Sequence, residues 1–208
     1  MIDLFGADYS VYVRAVRLAL EEKGVAYVLH PVDVFAPEGP PPGYLDLHPF
    51  GRIPALKQDG FTLYETIAIL RYVDEAFDGP PLQPATPLER ARMTQIQSIL
   101  DAHAYRTLVW EIYVERVVKP RKGGAPDEVG ISSALGPARR IVSALEALAS
   151  SGPFLRGDHP TLADCHAAPM LDLFQKAEEG AMLLKAAPRL TAWLERFRAR
   201  DSFQTVIA

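Results

Sequence analysis

The sequence predicts an α/β domain followed by an all-helical one. The first third alternates short apolar runs with segments of helical period. Residues 78–86 form a linker crowded with Gly and Pro. Beyond that linker no strand pattern appears. A chain of 208 residues is long for one compact domain and short for two large ones. The predicted boundaries are therefore 1–79 and 87–208.

Ile2–Phe5 is a short apolar strand, and residues 6–10 turn away from it. Val13, Val16 and Leu20 then share one helix face, while Arg17 and Glu21 are spaced to pair on another. Gly24 is placed to end that helix as a left-handed cap. Residues 27–32 read as a second strand, completing a right-handed βαβ unit. Pro37, Pro40, Pro41 and Pro42 exclude a strand or a long helix in the loop that follows. Residues 53–57 and Phe61–Tyr64 flank Gln58-Asp59-Gly60, a strong hairpin signal. Residues 65–77 form a helix with Ile67, Leu70, Val73 and Phe77 toward the core. The order β-α-β then β-β-α is a thioredoxin-like arrangement.

After the linker, Pro87 can occupy the first turn of a long helix reaching about Val118, with Met93, Ile96, Leu100, Leu108 and Ile112 inward. Gly123, Gly124 and Pro126 break it. Further helices are predicted over about 130–149, 161–176 and 188–200.

Net charge is −4, which argues against a nucleic-acid partner. The one basic run, Arg116, Lys119, Arg121 and Lys122, reads as a solvated face complementing a helix C-terminus. A single cysteine, Cys165, excludes an intrachain disulfide and paired-Cys metal motifs. No basic-then-apolar leader is seen, and no apolar run approaches the roughly 18 residues a bilayer span needs.

Three stretches resemble the soluble, cytosolic glutathione S-transferase family, in its serine-type, theta- or phi-like form. They are residues 9–24, opening Tyr9-Ser10-Val11-Tyr12; His48-Pro49-Phe50-Gly51-Arg52-Ile53-Pro54-Ala55-Leu56 running on to Leu63-Tyr64-Glu65-Thr66; and Thr161-Leu162-Ala163-Asp164. Their order and spacing cover nearly the whole chain. The resemblance implies an enzyme that conjugates the glutathione thiolate to small apolar electrophiles, with glutathione as co-substrate and no metal. It also implies a cytoplasmic homodimer pairing the first domain of one chain with the second of the other. The charges agree with that pairing: residues 1–79 carry six Lys and Arg against twelve Asp and Glu, residues 80–208 sixteen against fourteen. Other glutathione chemistries on the same site (peroxidase, isomerase, dehalogenase) and a non-enzymatic binding or regulatory relative are the competing readings. Near Ser10 the Ser-Ser-Cys run of the zeta isomerases is lacking.

A free thiol with pKa about 8.5 is mostly protonated at neutral pH, so the catalytic problem is to hold a thiolate. The resemblance puts Ser10 in that role, where a hydroxyl and a helix start coincide; capping the helix is a compatible duty. By the same resemblance Ile53-Pro54 is a cis bond that presents the Ile53 backbone to the cysteinyl residue of glutathione. Arg52 either holds a glutathione carboxylate or is a surface charge. Glu65 and Thr66 open a helix suited to the γ-glutamyl carboxylate and ammonium. His48 is read as a loop hydrogen-bonding residue. Thr161 and Asp164 form a capping box serving the fold, and Cys165 is a small core residue. The second-substrate pocket is expected from Tyr12, Phe35, Tyr105, Arg106, Val109, Trp110 and Tyr113, residues that suit interdomain packing equally well. Arg106 could stabilise developing negative charge.

Overall fold

The structure, a computed structural model, describes residues 1–207. It divides into two compact units: Met1–Leu82 together with the C-terminal helix, and Gln83–Arg200.

In the first unit the strands are β1 (Ile2–Phe5), β2 (Tyr27–His30), β3 (Ala55–Gln58) and β4 (Phe61–Tyr64). They form one sheet in the order β2-β1-β3-β4, with β1 parallel to β2 and antiparallel to β3. A parallel pair needs a crossover, which α1 (Val11–Lys23) supplies. Its C-cap Gly24 sits at φ 68, in the left-handed region where glycine carries no Cβ penalty. The β3–β4 hairpin closes through Asp59 and Gly60, both at positive φ, as a two-residue turn of this twist requires. Ile2 and Leu4 of β1, Leu56 of β3, the face Val13, Val16 and Leu20 of α1, and Ile69, Leu70 and Val73 of α3 (Thr66–Ala76) are buried together as the core. Each such side chain contributes roughly 1.5–3 kcal/mol when removed from water.

Several details depart from the sequence reading. β2 stops at His30 and β3 starts at Ala55, because residues 31–34 and 53–54 leave the ladder. Arg17 does not pair with Glu21. Its Nε donates to the Tyr27 hydroxyl (3.0 Å), which in turn donates to Glu21, and its guanidinium reaches the Val206 carbonyl. A one-turn helix α2 (Tyr44–Leu47) follows the proline-rich loop. Helix α3 turns Ile69 rather than Ile67 fully inward. At the C-terminal ends of α1 and α3, Lys23 is buried, its Nζ donating to the carbonyl and the carboxylate of Asp74. The C-terminal helix α10 (Asp201–Ile207) packs Phe203 and Val206 within this unit, beside α1.

The second unit starts with α4 (Pro87–Ile99), whose N-cap Thr86 accepts from Glu89 N–H. Beyond Ile99 the helix widens: Leu100–Val118 runs on with i→i+5 bonding, ending where the Lys119 N–H meets the Val114 carbonyl. Met93, Ile96, Leu100, Leu108 and Ile112 are buried as the periodicity requires. A last turn, α5 (Lys119–Arg121), precedes α6 (Glu128–Leu148). Arg116, read above as part of a solvated face, instead bonds Glu128 through two parallel N–H···O contacts and also reaches Glu179. It ties the wide helix to α6 and to α8 (Glu178–Lys185). Helix α7 (Leu162–Phe174) is buried along its whole length, and α9 (Pro188–Arg198) packs on it. The Thr161/Asp164 capping box is present and extended: Asp164 accepts from the N–H groups of Leu155 and Thr161, the Thr161 hydroxyl and the Trp193 indole. Burial raises the Asp164 carboxyl above its ordinary range, and those four donors act against that.

Candidate active site

One cross-strand row organises the first unit's site. Ala55 pairs with Phe5 on one side and with Tyr64 on the other, and Phe5 pairs with His30. The residues that leave the sheet beyond this row are the 6–10 loop, the 31–42 loop, Ile53-Pro54 and Glu65-Thr66. Register alone thus brings the predicted glutathione-binding residues to one end of the sheet. Gly6 marks how close they lie, since a Cβ there would stand 3.3 Å from Ile53 Cβ.

Ser10 is the N-cap of the 13-residue helix α1. Its extended backbone (φ −71, ψ 126) lets its carbonyl take the first helical bond, from Arg14 N–H. Its Oγ accepts from Val13 N–H at 3.5 Å, the outer limit of a hydrogen bond. The hydroxyl is therefore held at the positive end of a helix while its own proton can still be donated. The neighbouring phenol is committed elsewhere: Tyr9 donates to Asp33 Oδ1. Tyr12 is half-buried on α1, and Phe35 is exposed on the 31–42 loop.

The Ile53-Pro54 bond is cis. Ile53 packs on a small cluster of Val32, Tyr44 and Ala55, Pro54 is buried, and the Arg52 side chain is exposed. Tyr44 donates its hydroxyl to the Arg52 carbonyl at 2.7 Å and fixes that segment. Burial pushes the Tyr44 phenol's pKa well up, so it stays a donor. Glu65 is exposed and sits at φ 70, ψ 115, a conformation that costs a non-glycine residue about 1–3 kcal/mol. It caps α3, whose first residue, Thr66, is buried.

His48 differs from its sequence reading. It is buried at 2% exposure, and its Nδ1 has no hydrogen-bond partner among the described residues. Burial lowers its pKa, with Glu65 acting to raise it and Arg52 to lower it. Sequence reasoning also missed Tyr44 and Asp33. No local motif marks either, because each acts across 8 and 24 residues of chain respectively.

The remaining predicted residues lie on the second unit's wide helix. Val109 is buried, Tyr105 and Tyr113 are half-buried, and Tyr105 meets Trp110 edge-to-face at 6.4 Å. Arg106 is exposed and ion-paired with Glu111 at 2.9 Å. Arg106 and Trp110 line a cleft of about 450 Å³ with Glu111, Glu115, Asp127 and Gly130. Among the described residues no His, Cys, Asp and Glu cluster is arranged to hold a metal ion, and no helix is long and apolar enough to cross a membrane.

A thioredoxin-like sheet with a hydroxyl-capped first helix and a cis-proline, followed in the chain by a helical unit, defines a class of two-unit fold. Comparison with known proteins places the chain within it. Residues 9–76 match the N-terminal domain of glutathione S-transferases and residues 113–196 their C-terminal domain. Glutathione S-transferase F13 of Arabidopsis thaliana is 31% identical across 98% of this chain and 93% of its own length. The crystal structure of glutathione transferase F7 from Populus trichocarpa superposes with a TM-score of 0.86 at 31% identity, covering 100% and 98% of the two chains. A glutathione S-transferase-I bound with lactoylglutathione matches at TM-score 0.81 and 26% identity, over 99% and 97%. The chain belongs to the glutathione S-transferase family.

Proposed function

We propose that the chain joins the thiolate of glutathione to small apolar electrophiles. The carrying observation is the cross-strand row that gathers Ser10, Ile53-Pro54 and Glu65-Thr66 at one end of the sheet. In this reading the tripeptide's cysteinyl backbone pairs with Ile53 as an added strand. Its γ-glutamyl carboxylate lies at the start of α3 by Thr66, and its ammonium meets Glu65. Arg52, exposed on the same segment, takes a glutathione carboxylate. Ser10 then donates its hydroxyl to the sulfur at the positive start of α1, which stabilises the anion. The thiolate attacks the electrophilic carbon; a C–S bond forms and the leaving group departs with its electron pair.

Within the first unit, Tyr12 and Phe35 are proposed to meet the apolar partner. Arg106 is proposed as an electrostatic aid. Its ion pair with Glu111 must open for that role. The names of the relatives support the activity, and those relatives match nearly the full chain. We also propose a homodimer in the cytoplasm and domain limits of 1–79 and 87–208, though α10 is grouped with the first unit.

Retention on immobilised glutathione followed by an ultraviolet thiolate titration of the complex tests the reading. A bound thiol titrating well below its free value of about 8.5 is expected. Binding with the thiol left at that value overturns it.

A further inference from the structure

We propose that His48 is a positioning residue for glutathione: its ring braces the Arg52–Ile53 segment against the Tyr64–Thr66 segment, and its uncharged form leaves Glu65 to the tripeptide's ammonium. This rests on the glutathione reading above and adds a residue to it. His48 ends α2 and begins the turn to Ile53, with Gly51 N–H donating to its carbonyl at 2.9 Å. Its ring lies 5.0 Å from that of Tyr64 and 6.2 Å, edge-on, from that of Phe50; Phe50 in turn meets Tyr64 edge-on at 6.1 Å. Tyr64 is the residue before strained Glu65, and Phe50 stands two before Arg52. A three-ring cluster therefore joins the two stretches of backbone proposed to grip the ligand, with the imidazole as its buried member.

Among the described residues the buried Nδ1 has no hydrogen-bond partner, so a proton placed on it is poorly compensated for its desolvation. The charged groups facing the ring are Glu65, at the end of β4, and Arg52, in the turn before β3; the phenol of Tyr44, on α2, is occupied by the Arg52 carbonyl. Arg52 and burial both oppose protonation; Glu65 is the larger influence favouring it, with a smaller one from the residue's own backbone. A protonated ring must then draw on Glu65, the carboxylate that the ligand's ammonium requires. Proton and glutathione compete for Glu65 through His48, and by linkage each weakens the other's binding.

Calorimetric binding of S-methylglutathione, which has no thiol proton to lose on binding, is measured at about pH 7.5 and about pH 5.5, a window in which His titrates and the probe's own groups do not. Wild type is expected to lose roughly 5-fold in affinity toward the acid end, while His48→Gln and His48→Asn stay within about 2-fold. In conjugation kinetics at neutral pH, His48→Gln raises KM and leaves kcat within about 2-fold. Equal acid losses in wild type and variants overturn the proposal. If neither variant folds, imidazole proton NMR of the wild-type protein decides, because added glutathione must lower one histidine's pKa. No such fall overturns it too. A wild type that takes up no glutathione at either pH instead defeats the functional reading on which the proposal stands.

Discussion

The Tyr9 hydroxyl donates to Asp33 Oδ1 across 2.8 Å, and the same oxygen accepts the Phe35 N–H at 2.9 Å. One carboxylate oxygen thus ties the turn that carries Ser10 to the loop that carries Phe35. It also separates two adjacent hydroxyls by role. The phenol spends its proton on Asp33, and the serine keeps its own at the start of α1.

Substitution at the two positions should therefore give unequal results. Tyr9→Phe is expected to keep kcat for a halo-aromatic electrophile within about 3-fold, because the bond to Asp33 that it removes joins two loops. Ser10→Ala is expected to lower kcat about 100-fold while glutathione affinity changes little. Steady-state kinetics and calorimetry on the two variants check both. A larger loss from Tyr9→Phe would transfer the thiolate role to the phenol.

Glu65 is predicted to separate stability from binding. Glycine adopts φ 70 without a Cβ clash, so Glu65→Gly relieves backbone strain, partly offset by the freedom glycine adds to the unfolded chain. Tm should rise by about 1–3 °C. Glutathione affinity should fall about 10-fold with loss of the ammonium's partner. Glu65→Gln, which keeps the strain, should weaken binding with Tm unchanged. Thermal denaturation beside calorimetry reads the two effects.

Asp74 anchors more than one group. Its Oδ1 accepts from the buried Lys23 ammonium and from Leu82 N–H, 2.7 Å away. Asp74→Ala leaves a charge and an N–H buried together and should lower stability by about 3 kcal/mol. Adding Lys23→Met removes the stranded charge and should recover part of that loss. Urea unfolding of the single and double variants measures the coupling. Simple additivity would show the pair to be energetically idle.

Asp164 holds Leu155, Thr161 and Trp193 on a single carboxylate. Asp164→Ala is expected to destabilise by about 4 kcal/mol, a Tm fall near 10 °C for a chain of this size. Thr161→Ala removes one donor of the four and should cost about 1 kcal/mol. Near-ultraviolet circular dichroism would follow Trp193 in both variants.

The α/β-then-helix order was legible because it rests on local signals. Gly24, Asp59-Gly60 and the Thr161/Asp164 box each act within a few residues, and all three stand where their chemistry predicts. The helix positions Met93, Ile96, Leu100, Leu108 and Ile112 follow from periodicity alone. Long-range partnerships were not legible. Arg17 has an acid one turn away, yet it turns to Tyr27 and to the chain's far end, where partly buried acceptors await it. His48 reads as a loop polar residue because Tyr64, the ring nearest to its own, lies far along the sequence on β4. The short helices α2 and α8 lack the length that makes a period visible.

Helix α10 carries Phe203 and Val206 back onto the unit that begins at Met1, and Ser202 bonds Glu22 there at 2.5 Å. Threonine 205 and its neighbours are synthesised after every residue of Gln83–Arg200. On the ribosome, then, the α/β unit must wait with an uncovered apolar seam until every residue of the helical unit has been made. A fragment cut at Leu82 would inherit the same exposed seam permanently and should be prone to self-association.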